Sequence, residues 1–183
     1  GEYIEFMAPG VIILTAIFTS IFGGVNTLWD RRYGFMNKAL TSPISRSAIA
    51  LGKMSAISLI AALQASLIIG IALAIGVTFP NPLMIIPIMG IVILFSLGFS
   101  GISVTLAATA KSQETFWGMI NLLGMPLFML SPALFPLELL PNWLAVIAKL
   151  NPVTYTVLLV RELMTGVSEG GVPILISIAV IFA

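Results

Sequence analysis

Long uncharged apolar runs alternate with short polar segments along this chain, and the alternation predicts where the chain crosses a membrane. Residues 7–28 carry no charged side chain, and Trp29 follows them. Because about 20 apolar residues span a bilayer, this run predicts a first transmembrane helix. Residues 54–110 are also free of charge and are long enough for two more helices.

The segment Thr78–Pro82 (TFPNP) divides the second run, because a helix does not continue through its two prolines. It therefore predicts spans at about 50–77 and 83–108. Residues 115–137 predict a fourth span, and residues 171–183 predict the start of a fifth. The expected fold is an all-α integral membrane bundle with about five transmembrane helices in this sequence.

The region 138–170 contains no run long enough to span, because Lys149 and Asn151-Pro152 interrupt it. We expect interfacial or re-entrant helices there, outside the membrane on the extracellular side. The alternative is one kinked span that buries Lys149, at a cost of about 2.5–3.5 kcal/mol at the bilayer centre.

Composition indicates that a bilayer covers most of the surface. The chain is 59% hydrophobic and 8% charged, whereas soluble domains carry about 25% charged residues. It has no cysteine and no histidine, which excludes disulfides, serine–histidine catalysis and the usual zinc sites. Gly52-Lys53 lacks the upstream glycine of a phosphate-binding loop. We therefore expect no enzyme activity, metal or cofactor on this chain, and its net charge of +1 implies no nucleic-acid partner.

The predicted loop 29–49 and the first turn after it hold most of the basic residues. Five of the eight Lys and Arg lie in residues 29–53: Arg31, Arg32, Lys38, Arg46 and Lys53. With Lys111 they place six cations on one side of the membrane, against Lys149 and Arg161 on the other. The positive-inside rule then predicts a multi-pass protein of the cell membrane with residues 29–53 in the cytoplasm.

The loop also has a helical pattern. Trp29, Tyr33, Met36 and Leu40 would share one face of a helix lying along the membrane surface. Ser42-Pro43 would end it. Such a segment is either a docking surface for a cytoplasmic partner or a basic loop that fixes topology and contacts lipid phosphates, and spacing leaves both open.

A stripe of small residues runs along the second predicted span. Its members repeat every fourth position: Ser58, Ala62, Ser66, Gly70 and Ala74. Small residues at this spacing allow another helix to approach closely, within the bundle or across a dimer. The alternative is chance in a span rich in Ala and Ile.

Apart from Lys53 near the start of the second, the four complete spans lack ionisable side chains, which ion-coupled transporters usually keep at membrane depth. Their polar side chains include Gln64 and Asn121, which we interpret as interhelical hydrogen-bond partners rather than substrate ligands. Proton or sodium coupling is therefore not expected from this part of the protein.

Several motifs occur in an order that resembles the membrane subunits of type-2 ABC exporters. The loop motifs are Asp30-Arg-Arg-Tyr-Gly34, Leu40-Thr-Ser-Pro-Ile-Ser-Arg46 and Gly52-Lys53. They resemble the E-R-E-x-G-T, L-x-x-T-P-[IL]-S and G-K segments of that family. Asp30 and Arg32 replace its two glutamates, so the charge at Arg32 is reversed. Phe35 and Asn37 replace its common Thr and Glu.

The distal part of the chain carries the same resemblance. Pro141-Asn-Trp-Leu144, Asn151-Pro-Val-Thr-Tyr155 and Arg161 are similar to the family's extracellular re-entrant region. The residues assigned to that region are Pro141, Trp143, Asn151, Pro152 and Arg161. The resemblance implies one transmembrane permease domain over 1–183, with six spans in the complete fold. Because Gly1 is not Met and Ala183 falls inside an apolar run, we expect truncation at both ends.

The resemblance further implies a half-transporter that forms the export pathway. Two permease copies, identical or different, would pair with two ABC ATPase subunits, which would hold the ATP and Mg. The ATPase-coupling residues would be Asp30, Arg31, Arg32, Tyr33, Gly34, Lys38, Pro43, Gly52 and Lys53. The alternatives are an ion-coupled carrier or channel whose charged residues lie elsewhere, and a non-transporting membrane scaffold subunit.

Overall fold

The computed structural model describes residues 2–35, 37, 41, 43–77, 81–131, 146–148 and 151–166. Within these ranges all regular structure is helical, which confirms the predicted all-α class. The α-helices are α1 (Glu2–Arg32), α2 (Arg46–Ile75), α3 (Ile85–Thr109), α4 (Gln113–Met129) and α5 (Pro152–Thr165). A short 3-10 helix, Pro82–Met84, leads into α3.

Three of these elements have the length and apolarity of membrane spans. They are Phe6–Arg32, Arg46–Ile75 and Pro82–Thr109. The described part of the predicted fourth span is α4, with 17 residues. The predicted fifth run, residues 171–183, lies outside the described residues.

The helix ends follow from local sequence. Ser45 caps α2 by accepting a hydrogen bond from the Ala48 N–H, and Gly76 ends the helix with a φ of 100°. After the turn, Asn81 caps the 3-10 helix, and Pro82 occupies its first position. Ser112 caps α4 by accepting from the Thr115 N–H. Helix caps and prolines therefore determine the helix ends, which the lengths of the apolar runs alone do not define.

Helix α1 lies at the centre of the bundle and packs against both α2 and α3. Its buried face includes Ile13 and Ile17, and the cluster continues into Ala65 of α2 and Val92 of α3. The closest approach is at Gly24, where an added Cβ would lie 2.7 Å from the backbone oxygen of Ser103. The Ser103 hydroxyl donates to the Ile21 carbonyl oxygen at 2.7 Å, so α1 and α3 are in direct polar contact inside the apolar core.

The start of the predicted interfacial helix is wrong. Trp29 belongs to α1, which continues to Arg32, and Gly34 then takes a φ of 76°. Trp29 and Tyr33 still stack, with ring centroids 5.6 Å apart. The prediction ended the span at its first interfacial aromatic residue, whereas the helix continues for another turn before a left-handed glycine breaks it.

The stripe of small residues packs within this chain over only part of its length. Ser58 and Ala62 are buried, but Ser66, Gly70 and Ala74 are exposed. A four-residue repeat advances about 40° per step on a 3.6-residue helix, so its far end turns away from the bundle. The face that packs instead follows a shorter average repeat: Ala61, Ala65, Ile69 and Ala72.

The described part of the predicted extracellular region is mostly buried. Helix α5 packs against α1 and α3, and no residue of it is classed as exposed. An interfacial helix would keep one face in water or among headgroups. The packing of α5 therefore does not fit an interfacial helix, and it is compatible with both a re-entrant helix and the kinked span.

Candidate functional site

Four helix termini meet at one end of the bundle, here called the basic end. They are the last turns of α1 and α3, the first turn of α4, and the N-terminal part of α2, where Lys53 pairs with Asp30. The predicted coupling residues that the structure describes lie here, on or between α1 and α2. Lys38, Pro141 and Trp143 are outside the described residues.

Arg31 connects the last turn of α1 to the end of α3. Its Nη1 donates to the carbonyl oxygens of Ala107 at 2.9 Å, Ala108 at 2.6 Å and Ala110 at 3.4 Å. The last carbonyls of a helix lack intrahelical partners and carry partial negative charge. Arg31 therefore caps a neighbouring helix, and sequence motifs had assigned it only a partner-facing role.

Lys53 connects α2 to α1 through an ion pair between its Nζ and the Asp30 carboxylate. The Lys53 side chain is 22% exposed and the Asp30 side chain 39% exposed, so the pair lies at the edge of the packed region. Gly52 has open space beside it and makes no close approach. Two of the predicted coupling residues thus bond to each other and join two spans.

The segment between α1 and α2 presents apolar side chains away from the bundle. Tyr33 is 67% exposed, Phe35 59% and Ile44 55%. Pro43 lies in an exposed bend next to Ile44. Gly34 has no atom within 4 Å of an added Cβ, so its positive φ, rather than crowding, explains the glycine. Apolar rings beside a left-handed turn are a surface suited to a protein partner.

A cavity of about 280 Å³ lies beside this segment. It is lined by Leu28, Arg31, Arg32, Ala110, Lys111, Ser112 and Gln113. Sequence analysis counted Lys111 as a topological charge and gave Ser112 and Gln113 no role. The signal available was that Lys111-Ser-Gln-Glu114 carries the first charges after the long neutral run and returns the chain to the same side as Arg31.

An open groove of about 640 Å³ lies between the middles of α1 and α2. Its lining combines rings and small polar groups: Thr15, Phe18, Thr19, Phe22, Gly23, Asn26, Ile57, Ile60 and Gln64. The Thr19 hydroxyl donates to Gln64 Oε1, so Gln64 makes the interhelical hydrogen bond predicted for it. The sequence analysis gave Thr19 and Asn26 no role, although Asn26 carries the same signal as Asn121, an amide within an uncharged run.

A smaller cavity, about 160 Å³, lies on the other side of α1, against α4. Asn121 lines it together with Trp117, Phe22 and Phe128. Phe22 also lines the larger groove, so the two spaces share one aromatic wall on α1.

The distal motif residues that the structure describes hold α5 in place. Asn151 caps α5 by accepting from the Val153 N–H at 3.0 Å, and its Nδ2 donates to the Leu127 carbonyl of α4 at 2.7 Å. Pro152 takes the first helical position. Arg161 is 2% exposed, and its guanidinium carbon lies 3.8 Å from the centre of the Phe6 ring. These contacts give Asn151 and Arg161 packing roles.

The described part of the chain has no set of side chains arranged as metal ligands. No group of three or more His, Cys, Asp or Glu residues there could hold a metal ion. The described residues thus form two candidate functional features. One is the basic end with its exposed apolar loop, and the other is a groove between α1 and α2 lined by both apolar and polar side chains.

Comparison with known proteins bears on both features. A family model described as ABC-2 type transporter matches residues 2–165. A protein of Cyanophora paradoxa named transport permease ycf38 is 31% identical over 164 residues, which cover 89% of this chain and 57% of the relative. The daunorubicin resistance ABC transporter permease protein DrrB1 of Streptomyces coeruleorubidus is 25% identical over 167 residues, covering 90% and 59%.

Nodulation protein J of Sinorhizobium fredii is 25% identical over 184 residues, covering 99% of this chain and 69% of the relative. The chain thus spans less than two thirds of the ycf38 and DrrB1 relatives. No solved structure matches the chain significantly.

Proposed function

This chain belongs to the ABC-2 type transporter family as part of a membrane transport permease, and from that premise we propose that it serves an ATP-driven export system. In this proposal the permease forms the substrate pathway together with a second permease copy, identical or different. Two separate ABC ATPase subunits bind ATP and Mg and drive it. The permease lies in the cell membrane with residues 29–53 in the cytoplasm.

The observation that carries the coupling role is the set of contacts at the basic end. Asp30 and Lys53 join α1 to α2, and Arg31 joins α1 to α3. The exposed rings of Tyr33 and Phe35 lie directly beyond those contacts. A displacement of the loop by an ATPase subunit would therefore act on three membrane helices together rather than on one.

The groove between α1 and α2 is the proposed wall of the pathway. Its volume, about 640 Å³, falls within the range of roughly 300–1,000 Å³ that small-molecule sites occupy. Its described lining has rings, hydroxyls and amides but no ionisable side chain. Such a surface favours an uncharged or amphipathic organic substrate. The relative named for daunorubicin resistance is consistent with a small organic molecule as the exported species.

Reconstitution tests the proposal directly. The permease and its candidate ATPase subunit are co-reconstituted in liposomes, and transport of a fluorescent amphipathic dye is followed with and without ATP. We expect transport only when the permease, ATPase and ATP are all present. An ATPase whose Walker lysine is replaced by alanine is the matched control and should give none.

Two outcomes would contradict the proposal. Transport driven by a proton or sodium gradient without ATPase would make the protein an ion-coupled carrier. Stable association with other membrane proteins, with no transport under any driving force, would make it a scaffold subunit.

A further inference from the structure

Three cations line the cavity at the basic end: Arg31, Arg32 and Lys111. All three side chains are exposed, and that of Arg31 is held against the α3 carbonyls through Nη1. Because Nη1 makes those three contacts, the Nε and Nη2 groups of Arg31 remain as donors. The cavity is thus bordered by a fixed guanidinium and two adjustable positive charges.

Carboxylates of the described residues do not neutralise this charge. Asp30 is engaged by Lys53. Glu114 lies in the first turn of α4 but forms no ion pair with any of the three cations. The N-terminal turn of α4, capped by Ser112, adds a partial positive charge from its backbone N–H groups to the same cavity. An anion is the ligand that this arrangement favours.

The position of the cavity indicates which anion. It lies where two membrane-length helices end, at Arg32 and Thr109, with Leu28 and Ala110 on its apolar side. Lipid phosphates occupy this depth, just outside the hydrocarbon core. A soluble partner would first meet Tyr33, Phe35 and Ile44, which extend beyond the helix ends and are more than half exposed.

We propose that this cavity binds the phosphate headgroup of an anionic membrane lipid, with Arg32 and Lys111 as the headgroup ligands and Arg31 as a fixed third charge. The lipid acyl chains would stay in the surrounding bilayer, because Leu28 and Ala110 on the apolar side of the cavity are buried in the bundle. The site is distinct from the exposed apolar loop and requires only that the helices cross a bilayer. It would let the permease sense the charge of the surrounding leaflet.

Native mass spectrometry of the purified permease in neutral detergent tests this inference. The protein is titrated with dioctanoyl phosphatidylglycerol, with dioctanoyl phosphatidylcholine and with inorganic phosphate. We expect one phosphatidylglycerol molecule to bind saturably. Phosphatidylcholine and free phosphate should bind at least about tenfold more weakly. Arg32→Gln and Lys111→Gln should each raise the apparent Kd for phosphatidylglycerol about fivefold.

Arg46→Gln is the matched control, because Arg46 is an exposed basic residue of the same end that does not line the cavity. It should leave the Kd unchanged. Equal losses in all three variants would show a diffuse surface charge and overturn the proposal. So would free phosphate binding as tightly as the lipid. Unchanged lipid binding in Arg32→Gln and Lys111→Gln, with loss of ATPase co-purification, would instead assign the cavity to a protein carboxylate.

Discussion

Lys53 of α2 is ion-paired with Asp30, which lies two residues before the end of α1. The pair joins the two helices that border the exposed loop, at the point where both leave the apolar bundle. It thereby limits how far α2 can move from the last turn of α1, beside the segment that the proposed ATPase would contact.

Removing either partner should weaken this junction modestly. For an ion pair this exposed, we expect a coupling energy of about 0.2–1 kcal/mol between Asp30→Asn and Lys53→Gln. Denaturation of all four members of the double-mutant cycle in detergent measures it. The swapped pair Asp30→Lys with Lys53→Asp should recover part of the loss, and a coupling energy of zero would remove the stabilising role.

Arg31→Gln should destabilise the bundle more than Arg32→Gln. Arg31 satisfies helix-terminal carbonyls of Ala107 and Ala108, and charge-assisted hydrogen bonds contribute about 1.5–3 kcal/mol. We expect the free energy of unfolding to fall by about 1–3 kcal/mol for Arg31→Gln and to change little for the exposed Arg32. Equal stabilities of the two variants in detergent would contradict the capping role.

Gly24→Ala and Gly70→Ala form a matched pair within the membrane. A Cβ on Gly24 would collide with Ser103, whereas a Cβ on Gly70 meets nothing within 4 Å. Overpacking a core costs about 1–3 kcal/mol, so we expect Gly24→Ala to lower the melting temperature and Gly70→Ala to leave it unchanged.

Gly70 also tests the exposed half of the small-residue stripe. If a second copy packs against Ser66, Gly70 and Ala74, Gly70→Leu should reduce the dimer fraction without unfolding the monomer. Size-exclusion chromatography with light scattering measures that fraction. An unchanged fraction would show that the repeat does not form a dimer contact.

Gly34→Pro should reduce binding of the ATPase subunit. The φ of 76° at Gly34 is inaccessible to proline, so the loop beyond α1 must change its direction. Gly34→Ala is the milder variant, at a cost of about 1–2 kcal/mol for the left-handed conformation. Co-purification with the ATPase should fall from wild type to Ala to Pro, while the amount of permease in the membrane stays constant. Wild-type co-purification by both variants would place the docking surface elsewhere.

Gln64→Leu should alter transport without affecting ATPase binding. The substitution removes the acceptor for Thr19 in the groove and makes that wall more apolar. If the Gln64 amide bonds a polar group of the substrate, loss of that bond costs about 0.5–1.5 kcal/mol, so we expect KM to rise roughly two- to tenfold. Asn121→Leu, which changes the smaller cavity against α4, is the comparison. Identical kinetics in Gln64→Leu and wild type would exclude this groove from the pathway.

The sequence predicted the structure best where a single residue type carries a large energetic cost in the wrong environment. The uncharged runs and the Thr78–Pro82 turn predicted membrane helices because neither a buried charge nor a proline-filled helix is tolerated. It was also informative at Gln64, where an amide at membrane depth needs a partner. These are local penalties that a single residue carries with it.

Prediction from sequence was weaker where a residue's role depends on which distant residue it contacts in the fold. The partner of Arg31 is a set of backbone carbonyls at Ala107 and Ala108, and no residue type marks such an acceptor. The stripe through Gly70 packs within this chain only at Ser58 and Ala62, because a four-residue repeat turns away from the bundle along the helix. Burial of Arg161 against Phe6 joins positions 155 residues apart, a separation that no short motif encodes.

The contact between Ser103 and Ile21 has a mechanical consequence when it is combined with the Arg31 cap. Helices α1 and α3 are bonded at two places in the last third of α3, through Ser103 and through Ala107, so their basic ends are held together. Helix α4, in contrast, buries only Phe116 and Ile120 among its described residues. Because α1, α2 and α3 pack extensively on one another and α4 contacts them sparsely, we expect any relative movement at the basic end to occur along α4.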